Sequence, residues 1–199
     1  MNAYSSPAEE SNQPVIVFYG DSRAAAWPVP EQIRNVTVIN HGIGYQTTAK
    51  VLGRFRQHVA PLKPKVIVIQ VGTNDLRTIP LFPDQKEMII GNCKANIKQI
   101  VNLSLETGAR VVLTTIFPPG TLPIVNRPFA SDDLAAAIKD VNAYIETLES
   151  NRVTVFDTSR VLANSQGTVN PKYSRDFLHL NKEGYAVLNQ AMADILRPQ

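Results

Sequence analysis

Five short apolar runs, rich in valine and isoleucine, alternate with segments of helical periodicity, and this alternation restricts the fold more than any other property of the chain. The runs cover residues 15–19, 36–40, 66–71, 110–116 and 152–156. Runs that are apolar at successive positions are typical of strands buried on both faces, as in a parallel sheet. Such strands, alternating with helices and without an internal repeat, predict one α/β domain with a single parallel sheet in the order 2-1-3-4-5, covered on both faces.

Helical patterns lie at residues 47–59, 84–107, 131–150 and 182–196. Thr47 or Thr48 is expected to cap the first of these helices. Cys93 falls on the apolar stripe of the second, which favours a core residue over a reactive thiol. Residues 117–130 contain four prolines, so we expect a loop over the edge of the sheet and consider it a candidate substrate wall or lid.

Composition excludes several classes of protein. With 199 residues, 44% of them hydrophobic and 19% charged, the chain fits one globular domain, predicted at 15–199 after a flexible leader at 1–14. A scattered net charge of +3 argues against nucleic acid as a partner. We expect no membrane span, because no apolar stretch approaches the roughly 20 residues needed, and the polar N-terminal residues lack a signal peptide, which favours a cytoplasmic protein.

Cysteine and histidine counts argue against metal and cofactor chemistry. The single cysteine rules out an internal disulfide and a cysteine zinc cluster, and three widely separated histidines provide no metal-ligand motif. The first strand is not followed by a Gly-x-Gly-x-x-Gly segment, and the chain lacks a Walker lysine. We therefore expect neither a metal nor a cofactor. The oligomeric state stays open.

Polar turns follow the first three apolar runs, at residues 20–22, 42–45 and 72–75. The carboxyl ends of parallel strands meet at one edge of the sheet, where ligands bind in α/β proteins, so these turns are expected to surround one crevice. Gly20, Asp21 and Ser22 form the first turn, and either Asp21 or Ser22 has the alternative role of capping the next helix.

Ser22 needs a base to act as a nucleophile, and His179 is the strongest candidate among three histidines. Asp176 precedes it by three residues, close enough for its carboxylate to hold one imidazole nitrogen. The alternative is a capped entry to the last helix with an incidental histidine. His41, near the predicted crevice, is a candidate substrate contact, whereas His58 is expected at the surface or packed.

An acyl-transfer site also needs hydrogen-bond donors for a developing oxyanion. The candidates are the backbone N–H of Ser22, a backbone N–H of the second turn and the side-chain amide of Asn74. Asn74 has the alternative role of an ordinary turn residue, since asparagine is common in turns.

The chain resembles the SGNH (GDSL-type) hydrolases from residue 15 to about 196. The matching blocks, in order, are Gly20-Asp21-Ser22, the turn at 42–45, Gly72-Thr73-Asn74-Asp75 and Asp176-Phe177-Leu178-His179. The resemblance implies a three-layer α/β/α, flavodoxin-like fold and hydrolysis of esters or thioesters without a metal. It also implies Ser22 as nucleophile, His179 as general base and acid, Asp176 as the residue that orients His179, and Asn74 as an oxyanion donor.

The second block departs from the family pattern, because the position of its usual glycine falls on Tyr45, with Gly44 one residue early. Either Tyr45 donates its backbone N–H to the oxyanion, which we favour, or the turn shifts and Gly44 donates. Arg23, where the family commonly has leucine, and Arg77 are candidate contacts for an anionic substrate; the alternative for both is solvated surface charge.

These observations predict an esterase acting on small-molecule esters with short to medium acyl groups, including acetyl groups on a carbohydrate. One alternative is a non-catalytic module that binds a sugar or an anion at a degenerate site. Another is an acyltransferase that shares the triad.

Overall fold

A computed structural model describes residues 13–31, 33–120 and 132–197. Five parallel strands form one sheet in the order β2-β1-β3-β4-β5, which confirms the predicted topology. The strands are Val15–Gly20 (β1), Thr37–Gly42 (β2), Val66–Gln70 (β3), Arg110–Thr114 (β4) and Val153–Phe156 (β5). β3 is buried along its whole length, as its continuous apolar sequence predicts.

Helices cover both faces of the sheet and complete the three-layer α/β/α fold. They are Ser22–Ala25 (α1), Thr48–Gly53 (α2), Phe55–His58 (α3), Thr73–Leu76 (α4), Lys86–Glu106 (α5), Asp132–Glu146 (α6), Ser159–Leu162 (α7) and Lys182–Met192 (α8). Alternate residues of β1 point to two hydrophobic cores: Val17 and Tyr19 pack with α2, α3, α5 and α6, whereas Ile16 and Phe18 pack with α7 and α8.

The helix predicted over residues 47–59 is interrupted. α2 ends at Gly53, α3 begins at Phe55, and Arg54 between them has φ −98° and ψ 0°. Glycine is a poor helix former, and the Arg54 side chain turns inward to bond groups of the sheet edge instead of following the helix surface. Thr47 stands at the N-cap of α2, but its side chain makes no capping bond. Thr47 therefore occupies one of the two predicted cap positions without making the capping bond, and Asp75 accepts the Thr48 N–H instead, as described below.

β2 extends to Gly42, so His41 and Gly42 lie in the strand, paired with Tyr19 and Gly20, and not in the predicted turn. Gly42 is required there, because a Cβ at this position would lie 2.0 Å from the backbone nitrogen of Ala25.

Cys93 is fully buried in the core, as predicted, and burial raises the pKa of its thiol.

Two sequence predictions fall largely on residues outside the described ranges. Of the leader at 1–14, only residues 13 and 14 are described, and of the proline-rich loop only residues 117–120. Across the described part of the chain, no helix has both the length and the apolar character needed to cross a membrane.

The short helix α1 is attached to α8 by hydrogen bonds between distant parts of the sequence. Trp27, just after α1, donates its indole N–H to Asn189 at 2.7 Å, and the Tyr185 hydroxyl donates to the carbonyl oxygen of Arg23 at 2.8 Å. These contacts fix α1, and with it Ser22, against α8, which follows the segment of His179 in the chain.

Candidate active site

The turn after β1 places Ser22 at the first position of α1. Gly20 has φ +153°, and a Cβ there would lie 1.7 Å from the carbonyl oxygen of Gln70, so only glycine fits between the two strands. Asp21 is the N-cap of α1 and accepts a hydrogen bond from the Arg23 backbone N–H at 2.9 Å. Because Asp21 does the capping, the Ser22 hydroxyl is left for other contacts.

Ser22, His179 and Asp176 form a continuous chain of polar contacts. Ser22 Oγ lies 3.1 Å from His179 Nε2, although 157 positions separate the two residues in sequence. His179 Nδ1 lies 3.1 Å and 3.0 Å from the two carboxylate oxygens of Asp176. The structure therefore brings together all three predicted triad residues, with hydrogen-bond distances at both steps.

Asp176 is held in place mainly by its own loop. Its carboxylate accepts the backbone N–H groups of Leu178 at 2.8 Å and His179 at 2.7 Å. Partial burial acts to raise the pKa of this carboxyl, but the hydrogen bonds from Leu178 and His179 and the His179 charge outweigh it and hold the pKa at about 2. Asp176 is therefore ionised at neutral pH, as an orienting carboxylate must be.

The loop that carries Asp176 and His179 is anchored to the segment after β4. The Gly120 N–H donates to the Phe177 carbonyl oxygen at 3.2 Å, and a Cβ on Gly120 would lie 2.6 Å from that oxygen. On its other side, Arg77 places its guanidinium 5.4 Å from the centre of the Phe177 ring.

The second turn passes beside the nucleophile. A Cβ built on Gly44 would lie 4.0 Å from Ser22 Cβ, and the Ile43 N–H donates to the Gly20 carbonyl at 3.1 Å. Tyr45 adopts the left-handed conformation with φ +62°, and its side chain is 92% exposed. Within the described ranges, the backbone N–H groups of Ser22, Gly44 and Tyr45 donate to no protein acceptor, so all three remain available to a ligand.

Asn74 and Asp75, at the start of α4, hold this turn from the opposite side. Asn74 Nδ2 donates to the Gln46 carbonyl oxygen at 3.0 Å, which uses one of its two amide protons. Asp75 accepts the Thr48 backbone N–H at 2.9 Å and the Thr48 hydroxyl at 2.6 Å, so it caps α2 from a distant part of the sequence. Burial raises the pKa of Asp75, against these two hydrogen bonds.

Arg23 is buried, so its interpretation as solvated surface charge is wrong. It is 3% exposed and donates to the Leu178 carbonyl at 3.0 Å and the Thr73 hydroxyl at 2.8 Å. Burial lowers the pKa of its guanidinium to about 10, with nearby Asp21 opposing the shift. Arg23 thus connects the nucleophile turn to the loops of His179 and Asn74.

The two other substrate-contact candidates lie in different settings. His41 is half-buried in β2 and meets His58 edge to face, with 5.5 Å between ring centres; burial, helped by the nearby charges of His58 and Arg54, lowers its pKa. Arg77 is exposed, stacked on Phe177 as described.

Over the described ranges, no group of three or more histidine, cysteine or acidic side chains is arranged to hold a metal ion.

The sequence interpretation missed Gln46, Arg54 and Asp75, which support the site. Asp75 lies within the recognised block at 72–75, so its position was a usable signal. The sequence contains no such signal for Gln46 and Arg54, because their structural roles depend on contacts with residues that are distant in sequence.

The fold and the polar residues at its carboxyl edge define an α/β/α hydrolase that acts on ester bonds. The sequence matches the GDSL-like Lipase/Acylhydrolase family over residues 9–187, and the chain belongs to this family.

Three proteins illustrate what the chain is similar to in sequence and in fold. Platelet-activating factor acetylhydrolase IB subunit alpha1 of Rattus norvegicus is 28% identical over 196 residues, covering 94% of this chain and 77% of that protein. A GDSL-like lipase from Bacteroides thetaiotaomicron superimposes with a TM-score of 0.71 and 24% identity, over 97% of this chain and 93% of the other. Est24, a carbohydrate acetylesterase from Sinorhizobium meliloti, gives a TM-score of 0.69 at 16% identity, over 92% and 98% of the two chains.

Proposed function

We propose that the protein hydrolyses small carboxylic esters, acetyl esters among them, through Ser22, His179 and Asp176 and a covalent acyl-enzyme. The observation that carries this proposal is the unbroken contact chain from Ser22 Oγ to His179 Nε2 and from His179 Nδ1 to Asp176. Each residue has the partner that nucleophilic catalysis by serine requires.

In the first step His179 acts as general base. The Nδ1–H of His179 donates a hydrogen bond to the Asp176 carboxylate, which leaves the Nε2 lone pair directed at the Ser22 hydroxyl. Ser22 Oγ attacks the ester carbonyl carbon while its proton passes to Nε2, giving a tetrahedral intermediate and an imidazolium ion. Asp176, ionised because its pKa is held near 2, stabilises that cation.

Three hydrogen-bond donors stabilise the negative charge that develops on the carbonyl oxygen: the Ser22 N–H, the Tyr45 N–H and the second amide proton of Asn74. The left-handed φ of Tyr45 supports its choice over Gly44, because a residue at the usual glycine position keeps the backbone conformation that glycine favours.

The intermediate collapses when His179 returns its proton to the leaving alkoxide, which departs as the alcohol and leaves the acyl group on Ser22. Water then attacks this acyl-enzyme with His179 again as base. A second tetrahedral intermediate breaks down to the carboxylic acid and free Ser22. An added alcohol in place of water gives acyl transfer, which would appear as a new ester among the products.

The proposed substrates have a small acyl group. Two similar proteins act on acetyl groups according to their names, an acetylhydrolase and a carbohydrate acetylesterase. Arg77 and His41 remain proposed substrate contacts. Arg23 makes only a limited contribution of this kind, since its guanidinium is already bonded to Leu178 and Thr73.

The test is intact-mass analysis after treatment with a fluorophosphonate, together with the hydrolysis of p-nitrophenyl acetate. Wild-type protein is expected to gain one adduct, mapped to Ser22, and to turn over the ester. Ser22→Ala is expected to lose both properties with an unchanged unfolding temperature. Ser159→Ala is the matched control, because Ser159 is also half-buried at the start of a short helix after a strand.

An adduct on another residue would overturn the role of Ser22, as would ester turnover retained by Ser22→Ala. Rates for acetyl, butyryl and octanoyl esters then define the acyl length. A rate that rises steadily with chain length would contradict the preference for small acyl groups.

A further inference from the structure

Arg54 is a buried arginine that touches the carboxyl edge of the sheet at two points. It is 9% exposed and lies at the break between α2 and α3. Its Nη2 donates to the Gly20 carbonyl oxygen at 2.9 Å, two residues before Ser22, and its Nε donates to the Gln46 side-chain oxygen at 2.6 Å. One side chain therefore connects the nucleophile turn to Gln46, the residue directly after the second turn.

Gln46 extends this connection to the third segment of the site. Its side-chain oxygen accepts from Arg54, while its backbone carbonyl accepts from Asn74 Nδ2 at 3.0 Å. It is also bonded covalently to Tyr45, whose N–H is a proposed oxyanion donor. The three segments that carry the proposed donors thus meet through Arg54 and Gln46.

The buried position of Arg54 lowers the free energy of unfolding. This destabilisation points to a role beyond packing. Its Nη1 is buried and, within the described residues, has no hydrogen-bond partner. An unsatisfied buried donor of a charged group is destabilising. The Tyr19 ring, 4.4 Å from the guanidinium carbon, offsets part of this cost by a cation–π interaction. Among the described residues, both side-chain hydrogen bonds of Arg54 go to the site.

We propose that Arg54 and Gln46 are positioning residues that hold the three oxyanion donors at their required separations. Neither residue is placed to touch the reacting atoms; Arg54 acts through the Gly20 carbonyl and through Gln46, and Gln46 acts through Tyr45 and Asn74. This inference rests on the proposed function, since it assumes that an oxyanion forms beside Ser22. Preorganised donors stabilise the transition state more than the bound substrate, so loss of the link is expected to lower kcat and leave KM nearly unchanged.

The central test compares Gln46→Ala with Gln46→Glu. Alanine removes the acceptor of the Arg54 Nε–H, and glutamate restores an acceptor of the same shape. Removing an oxyanion donor outright costs about 10²- to 10³-fold in kcat, so loosening the donors in Gln46→Ala is expected to cost about tenfold. Gln46→Glu is expected to recover to within about threefold of wild type, and KM for p-nitrophenyl acetate to change less than about twofold in both variants.

Arg54→Met tests the other end of the link, and Arg56→Met is its control, because Arg56 is an exposed arginine on α3. The rate of fluorophosphonate labelling at Ser22 is expected to fall in parallel with kcat for Arg54→Met and to stay unchanged for Arg56→Met. If Arg54→Met does not fold, the Gln46 pair still decides the question.

An unchanged kcat in Gln46→Ala overturns the proposal. So does a Gln46→Glu variant as slow as Gln46→Ala, or a fall in kcat that only follows a loss of folded protein. Failure of the proposed function is distinguishable, because wild-type protein itself would then carry no adduct on Ser22.

Discussion

The two sides of the candidate site are built differently. On one side, Asp176 and His179 lie three residues apart on an exposed loop, where the Asp176 carboxylate accepts backbone N–H groups of the same short segment. On the other side, the turn at 42–45 and the residues that follow it to Thr48 are held by groups far away in sequence, Gly20, Asn74 and Asp75 among them. The orientation proposed for His179 thus depends on local geometry, whereas the charge stabilisation proposed for the other side depends on the assembled fold.

The largest effect is expected on the local side. Asp176→Asn keeps the shape of the loop but removes the charge that is proposed to stabilise the His179 imidazolium and to select the tautomer with a proton on Nδ1. We expect kcat for p-nitrophenyl acetate to fall by about 10²- to 10⁴-fold. The unfolding temperature should fall only modestly, because the amide oxygen still accepts the N–H groups of Leu178 and His179, although the stabilisation that accompanies the low pKa of Asp176 is lost. A loss of activity below tenfold would mean that Asp176 does not orient His179.

A smaller loss is expected on the assembled side. Asn74→Ala removes one proposed oxyanion donor and the bond to the Gln46 carbonyl, and kcat should fall by about 10²- to 10³-fold with little change in KM. Thr78→Ala is the control, because Thr78 follows α4 and, among the described residues, its hydroxyl bonds only the Asp75 carbonyl. If KM rose while kcat stayed unchanged, Asn74 would be a substrate-binding residue and not an oxyanion donor.

The stability of the whole fold should depend on pH through Asp21, the N-cap of α1. Burial raises the pKa of this carboxyl to about 6, although Arg23 opposes the shift. The folded state therefore binds more protons than the unfolded state between about pH 4 and pH 6. Over this window the free energy of unfolding should fall as pH rises, by up to about 3 kcal/mol from this group.

Asp21→Asn should remove that dependence, since asparagine does not titrate and its oxygen still caps α1. Urea unfolding at pH 4.5 and 7.5 measures the effect. The variant should gain stability relative to wild type at the higher pH. An equal difference at both pH values would show that Asp21 ionises as freely in the folded state as in the unfolded state.

The smallest effect is expected at Tyr45. A left-handed conformation costs a non-glycine residue about 1–2 kcal/mol, and the tyrosine ring is almost fully exposed, so Tyr45→Gly should raise the free energy of unfolding by about 1 kcal/mol or less. The proposed donor is a backbone N–H, which glycine retains, so kcat should stay within about threefold. A large fall in kcat would mean that the Tyr45 ring contacts the substrate.

The sequence was sufficient to predict those parts of the structure that are determined by neighbouring residues. Continuous apolar runs such as that of β3 specify buried strands, and the alternation with helices leaves few topologies for the sheet. The spacing of Asp176 and His179 was equally informative, because three residues bring the carboxylate to the imidazole within one loop.

Other parts could not be predicted from neighbouring residues. The cap of α2 comes from Asp75, 27 positions away, and not from Thr47. The break at Arg54 has the same kind of cause, since its inward direction depends on Gly20 and Gln46 being nearby. Arg23 looked like a surface charge because its acceptors, the Leu178 carbonyl and Thr73, are 155 and 50 positions from it in the sequence.

The attachment of α1 to α8 also determines when activity arises during biosynthesis. Ser22 leaves the ribosome early, whereas His179 and the α8 residues that bond Trp27 and Arg23 are translated 155 or more positions later. A growing chain therefore carries the proposed nucleophile without its base for most of translation. On the proposed roles, esterase activity begins only when α8 has emerged and docked, and turnover reports directly on completed folding.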